Sequence, residues 1–242
     1  MTARRINRKS LTEQIAEDIA TQISRETLEP NAELPSEQEL GRTYEVSRPV
    51  IREALRRLEA RGYVVISNGR RARVKEIGSD LLNAFLERVM SQDEKSWREL
   101  IDVREALESV AVRDVARDAS GEAVGELREI VERMARSFED PVAYSKADLE
   151  FHLALARASG NRLLTYFIEA TRTALVSTMR TLRTRISPEY LPAVQRSHEA
   201  IIEAVAANDV EGARGALATH FETVRQQLNS ENSYGEEEQN ED

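Results

Sequence analysis

Apolar residues recur every three to four positions along most of this chain, and the interruptions mark where its character changes. Leu11, Ile15, Ile19 and Ile23 form one stripe, the spacing of a helix with a single buried face. Ser10-Leu-Thr-Glu13 at its head has the form of a capping box. Pro30 and Pro35 belong to a loop, and a second capping box, Ser36-Glu-Gln-Glu39, opens a short helix ending near Thr43. Ser47 is suited to cap a third helix, with Pro49 tolerated in its first turn. Val50, Ile51, Ala54, Leu55 and Leu58 make its inward side and Gly62 ends it. The pattern then changes to alternation: Tyr63–Ile66 reads as a strand, Asn68-Gly69 as a hairpin turn and Arg71–Val74 as the return strand. Three helices and a hairpin predict a winged helix-turn-helix over residues 1–77, with Gly78-Ser79 as the joint to the remainder of the chain.

From about residue 80 to 228 the period is helical throughout. Ser96-Trp-Arg-Glu99 is a further capping box before Leu100, Val103, Leu107, Val110 and Val115. Gly121 separates this stretch from Val124–Phe138, and Asp140-Pro141 caps the next helix. Ser159-Gly160-Asn161 breaks that helix, with Asn161 as the cap of Leu163–Arg185. Ser187-Pro188 and Asn208-Asp209 introduce the last two helices. The fold class is therefore mainly α: the winged head followed by an all-α bundle of six or seven helices over residues 78–228. The large residues Phe85, Trp97, Phe138, Tyr166 and Phe167 are expected in its core or at a dimer interface. Residues 229–242 hold six acidic residues and no basic one, and read as an acidic disordered tail.

Charge divides at the same joint. The chain as a whole carries −9. Residues 1–75 hold fifteen Lys and Arg against eleven Asp and Glu, a net of +4, which leaves −13 for the rest. Phosphate binding depends on the local field, so a basic head on an acidic body suits a DNA reader. There is no cysteine, which excludes disulfides and thiolate metal sites. No run of about 18 apolar residues and no apolar leader segment occurs, so a cytoplasmic protein with no membrane partner is expected.

All three histidines lie in the helical region. Asp148 and His152 are four apart and share a helix face; His198 and His220 sit on or near inward stripes of the last two helices. One carboxylate and three imidazoles suffice to hold a divalent transition metal. Zinc and nickel suit the imidazoles best, cobalt is also accepted, and the carboxylate admits manganese or iron.

Several segments together resemble the GntR superfamily of bacterial regulators, in its FadR-type group with an FCD effector domain. In the head these are Leu34-Pro-Ser-Glu-Gln-Glu-Leu40, Val46-Ser-Arg-Pro-Val-Ile-Arg-Glu-Ala-Leu-Arg-Arg-Leu58 and Gly62-Tyr63. In the body they are Arg104-Glu-Ala-Leu-Glu108, Asp148-Leu-Glu-Phe-His152, Ser197-His-Glu-Ala200 and Thr219-His220. The resemblance implies that Asp148, His152, His198 and His220 are metal ligands and that Arg104 lies in the effector pocket, where a guanidinium can clamp a carboxylate. Read without it, Arg104 is an ordinary i,i+4 partner of Glu108. Arg180 and Arg183 are weaker candidates for effector contact.

In a helix-turn-helix the second helix enters the major groove by its N-terminal residues. That brings Ser47, Arg48 and Arg52 forward, with Arg56 farther along, while the wing tip at Asn68 and Gly69 approaches the minor groove. The chain departs from the family in having Gln38 where an arginine is usual. The function expected is a homodimeric regulator, in the commoner arrangement a repressor, that binds a pseudo-palindromic DNA operator and senses a small organic or sugar acid at a metal site. Two alternatives stand beside it. One is a metal-ion sensor. The other is a metal-dependent enzyme, for which Glu150 or Glu199 would have to serve as base, there being no spare histidine.

Overall fold

The computed structural model describes residues 9–25, 28–93, 96–182 and 190–238, with backbone only for 176–182 and 228–238. Arg183 lies outside the described residues, and Arg180 is described only by its backbone. The chain forms two compact units, Met1–Leu81 and Leu82–Asp242.

The first unit contains α1 (Leu11–Arg25), α2 (Glu37–Thr43), α3 (Arg48–Ala60), β1 (Val64–Val65) and β2 (Arg73–Val74). The stripe on α1 is buried at Ile15, Ile19 and Ile23 and packs with Ile51, Ala54, Leu55 and Leu58 of α3. Full burial of such side chains contributes roughly 1.5–3 kcal/mol each. The box at Ser36 is complete: Ser36 Oγ accepts from Glu39 N and the Glu39 carboxylate accepts from Ser36 N. The one at Ser10 is half formed. Ser10 Oγ accepts from Glu13 N at 3.2 Å, but the Glu13 carboxylate turns instead to Arg57 and Arg61 on and just after α3, since two guanidiniums outcompete one backbone amide. Ser47 occupies the N-cap position without a side-chain cap bond.

Gly62 closes α3 at φ 77°, with Tyr63 N bonding to Leu58 O and Gly62 N to Glu59 O. That pair of bonds is a Schellman motif, which favours glycine at its left-handed position. The hairpin pairs Val64 with Val74 and Val65 with Arg73. Its turn closes by Arg70 N to Ser67 O, with Gly69 at φ 72° in the third turn position, as a type II turn requires. The segment between Pro30 and Pro35, read from sequence as loop, pairs with the outer edge of β2. Asn31 N and Leu34 N donate to Val74 O and Ala72 O, and Val74 N donates to Ala32 O. The prolines confine this pairing to four residues, too few to show an alternating pattern.

The second unit consists of α4 (Asp80–Met90), which begins at the end of the first, α5 (Ser96–Arg117), α6 (Gly121–Ala135), α7 (Pro141–Ala158), α8 (Arg162–Leu182), α9 (Leu191–Ala206) and α10 (Val210–Glu238). The boundary falls a few residues beyond Gly78. Lys75 Nζ pairs with Asp80 at 2.6 Å, and a Cβ on Gly62 would meet Leu81 at 3.1 Å, so the start of α4 belongs to the head. Asp140 caps α7 through Val142 N and Ala143 N. Asn161 caps α8 through Leu163 N and Leu164 N, the role expected of it. Helix α10 lies along α9 and α5, α6 packs on α7 and α9, and α8 packs on α5 and α7. Tyr144, Phe151, Leu155, Ile101, Ile201 and Phe221 are buried at the centre.

Of the large residues expected in the core or at a dimer interface, Trp97 is in the core, while Phe85 and Phe167 are exposed in the single chain, where an interface could cover them. Two expectations are corrected by the structure. Val103 is half exposed although it falls on the apolar period of α5, because that helix turns a buried charged pair inward in its place. Helix α10 continues to Glu238, through part of the segment read as a disordered tail; glutamate is a good helix former, and the lack of apolar residues argues only against burial.

Candidate metal centre and DNA-reading face

Helix α7 carries Asp148 and His152 on one face, α9 brings His198 and α10 brings His220. The histidines are 0–2% exposed. One ligand atom from each of the four residues can be chosen so that all lie within 4.8 Å of one another. Ligand atoms around a shared ion at about 2.0–2.2 Å stand no more than about 4.4 Å apart, so a contraction of a few tenths of an ångström closes the shell. His198 Nε2 is 3.3 Å and His152 Nε2 3.8 Å from Asp148 Oδ1.

Hydrogen bonding fixes which nitrogen of each ring faces inward. His198 Nδ1 donates to Val194 O at 2.9 Å, since a carbonyl only accepts. The Ser197 hydroxyl donates its proton to Val194 O at 2.6 Å, so its oxygen accepts from His220 Nδ1 at 3.1 Å. His152 Nδ1 donates to the Glu108 carboxylate. With Nδ1 the donor in each ring, the neutral form of each carries its lone pair on Nε2. Partners on the far nitrogen are the usual means of orienting metal-binding imidazoles. His198 Nε2 is buried and makes no hydrogen bond, which is what a metal-ligating nitrogen looks like without its ion. Burial, reinforced by neighbouring His152, holds His198 down at about 4, with the Asp148 carboxylate working the other way. Burial and the other imidazoles likewise push His220 far below the usual histidine range. His198 and His220 are therefore neutral at pH 7, the form that binds metal.

Behind His152 stands a pair that sequence alone leaves ambiguous. Arg104 and Glu108 are 3% and 0% exposed, with Arg104 Nη2 2.9 Å from Glu108 Oε1. Burial works to raise the Glu108 carboxyl, but the charges of His152 and Arg104 outweigh it and the net shift is downward. Sequence reasoning misses Glu108 as a site residue because an i,i+4 Arg/Glu pair looks the same on a wet face as on a dry one. Ser197 has no sequence signal beyond its place before His198. Arg104 Nη2 has no hydrogen bond of good geometry, and its guanidinium lies 5.9 Å from the Phe221 ring. It is a cation with donor capacity to spare.

On the first unit Ser47, Arg48, Arg52, Arg56, Asn68 and Gly69 are all exposed. Arg48, Arg52 and Arg56 follow one another at helical spacing along α3. Glu37 on α2 holds Arg52 by two bonds, Nε to Oε1 at 3.0 Å and Nη2 to Oε2 at 2.8 Å, and this contact lowers the Glu37 carboxyl. Gln38 Oε1 accepts from Arg48 Nη2 at 2.8 Å. The glutamine that departs from the family pattern thus orients a neighbouring arginine. Glu37 has no signal in sequence, because the pairing spans two helices.

A helix-turn-helix with a wing, joined to a helical domain with a buried histidine–aspartate cluster, defines a DNA-binding regulator with a ligand-sensing body. Comparison with known proteins agrees. Residues 11–74 match the family of bacterial regulatory proteins named gntR, and residues 99–223 match the FCD domain. The HTH-type transcriptional repressor NanR of Escherichia coli K12 is 31% identical over 228 residues, covering 93% of this chain and 86% of its own. The protein of that name from Citrobacter rodentium is 31% identical over 225 residues, covering 91% and 86%. The solved structure of Streptococcus agalactiae GntR superposes with a TM-score of 0.71 at 23% identity, over 89% of this chain and 99% of that one. The chain belongs to the GntR family, with an FCD domain, and is a ligand-responsive DNA-binding transcription regulator rather than an enzyme. Among the described residues no helix is long and apolar enough to cross a membrane.

Proposed function

We propose that this protein is a homodimeric cytoplasmic repressor, released from its operator by a small carboxylic or sugar acid bound at a metal ion. The observation that carries the reading is the set of three buried imidazoles around Asp148, each tied at Nδ1, with the under-bonded Arg104 guanidinium held behind them. Asp148, His152, His198 and His220 would hold zinc or nickel, with manganese, cobalt or iron also admitted by the donor set. The ion, when bound, offers an electrophilic position for a carboxylate oxygen. Arg104 supplies the opposite charge and Glu108 keeps both Arg104 and His152 in place. The relatives named as repressors support that sign of regulation.

In the head, Ser47, Arg48, Arg52 and Arg56 face the major groove and Asn68 and Gly69 the minor groove. A twofold pair of heads calls for a pseudo-palindromic operator. The acid must favour one arrangement of the heads over another, because a ligand of equal affinity for both shifts nothing. Thermal unfolding against a panel of organic and sugar acids, before and after chelation, tests the reading. An acid at 100 times its dissociation constant adds about 2.7 kcal/mol. A shift that vanishes on chelation is expected. No shift from any acid, with a large loss of stability on chelation, would instead make the ion structural or the signal itself.

A further inference from the structure

The arginines on and just after α3 are held in different ways. Arg52 is tied to Glu37, Arg57 to Glu13 and Glu53, and Arg61 to Glu13. A guanidinium paired with a carboxylate brings little net charge to a DNA groove. Arg48 differs. It is held by the neutral side-chain amide of Gln38 on α2, with Nη2 2.8 Å from Oε1, and it forms no ion pair among the described residues.

That contact settles the orientation of the amide. A guanidinium only donates, so the carbonyl oxygen of Gln38 faces Arg48 and the Nε2 amide, with two hydrogens, is left over. No described residue accepts from it. Both side chains are exposed. Arg48 is the first residue of α3, and the N-terminal residues of the second helix of a helix-turn-helix meet base edges. A side chain bonded to the Arg48 guanidinium arrives at the groove with it. The neighbours of Gln38 are engaged elsewhere: Glu37 holds Arg52 and Glu39 completes the box at Ser36.

The chemistry of that leftover group differs from that of an untethered glutamine. With both ends of its amide available, glutamine pairs with adenine, accepting from N6 and donating to N7. Here the accepting end is turned to Arg48 and what remains is a donor. In the major groove guanine offers acceptors at N7 and O6 and thymine at O4, while cytosine offers only its N4 donor. An arginine at position 38, the usual residue in the family, would set two guanidiniums side by side and remove this coupling.

We infer that Gln38 is a specificity-determining residue of the head: its carboxamide, locked by Arg48, reads guanine or thymine at one position of each half-site and discriminates against adenine. This rests on the reading above that α3 enters the major groove. The two side chains then act as one unit, Arg48 supplying charge and Gln38 a directed donor, from two different helices.

The test uses the full-length protein to select bound sequences from a library of random DNA duplexes, followed by fluorescence anisotropy on the selected operator. The wild type is expected to select guanine or thymine at a half-site position where Gln38→Ala shows no preference. Exchanging that base for adenine should weaken wild-type binding about tenfold, while Gln38→Ala binds the two duplexes alike. Gln38→Glu, whose carboxylate only accepts, should turn the preference to cytosine through its N4 donor. Because Gln38 is exposed, both variants should melt at the wild-type temperature. Adenine at that position in the wild-type pool, or the same preferences throughout in wild type and Gln38→Ala, would overturn the inference while leaving α3 in the groove. A change in Gln38→Ala without the switch in Gln38→Glu would also overturn it, making Gln38 a prop for Arg48. An Arg48→Ala pool identical to that of the wild type at every position would overturn the placement of α3 as well.

Discussion

Glu108 on α5 and His152 on α7 are joined by a hydrogen bond in the dry interior of the helical domain. The bond connects the buried Arg104–Glu108 pair to the histidine cluster, so the anion-binding and metal-binding halves of the proposed site are mechanically one unit.

Replacing Glu108 with glutamine keeps an acceptor but removes its charge. Apparent zinc affinity, measured by competition with a chelating dye, should fall by about 10–100-fold, the usual cost of losing the group that orients a ligand imidazole. Glu108→Ala should in addition cost about 3–5 kcal/mol of stability, because it strands Arg104 as an uncompensated buried charge. Zinc affinity within a factor of two of wild type in Glu108→Gln would show that His152 needs no such partner.

The pairing of Glu37 with Arg52 makes a separate prediction for the head. Arg52→Ala should weaken operator binding in fluorescence anisotropy by about 1–3 kcal/mol and relax preference at one base pair, with acid binding unchanged. Glu37→Gln, which loosens the arginine without removing it, should cost less on the operator. Operator affinity equal to wild type in Arg52→Ala would remove α3 from the reading of DNA.

Much of this architecture is legible in the sequence. The completed box at Ser36, the caps at Asp140 and Asn161 and the three histidines on inward stripes are all local or periodic signals, and such signals survive folding. The features that sequence hides depend on which helices meet. The Glu13 carboxylate reads as a cap and serves two arginines near the end of α3. Arg104 and Glu108 read as a surface pair until α7 and α10 close over α5. Residues 31–34 pair with β2 over too short a stretch for alternation to register. Val103 keeps the period of its helix yet faces water.

Acid should destabilise the metal-free protein through the same histidines. His198 titrates at about 4 when folded against an ordinary value of 6.5, and His220 is lowered as well. The unfolded chain therefore binds more protons, so stability rises with pH. Their contribution is complete above about pH 6.5 and is lost progressively as pH falls toward 4. Chelator-treated protein should melt at steadily lower temperature across that window, and His198→Ala should flatten the slope. A melting temperature constant from pH 7 to pH 5 would mean the rings are not held neutral.

The donors of the cluster come from α7, α9 and α10, the last two forming a hairpin that turns at Asn208. No single segment of the unfolded chain can reproduce that arrangement, so an ion held there would act as a removable cross-link between distant stretches of backbone. Occupancy would then govern how long the terminal helix hairpin stays docked, and with it how readily a protease could strip that hairpin from the bundle. Metal starvation would be felt by such a protein as shortened lifetime as well as lost signal.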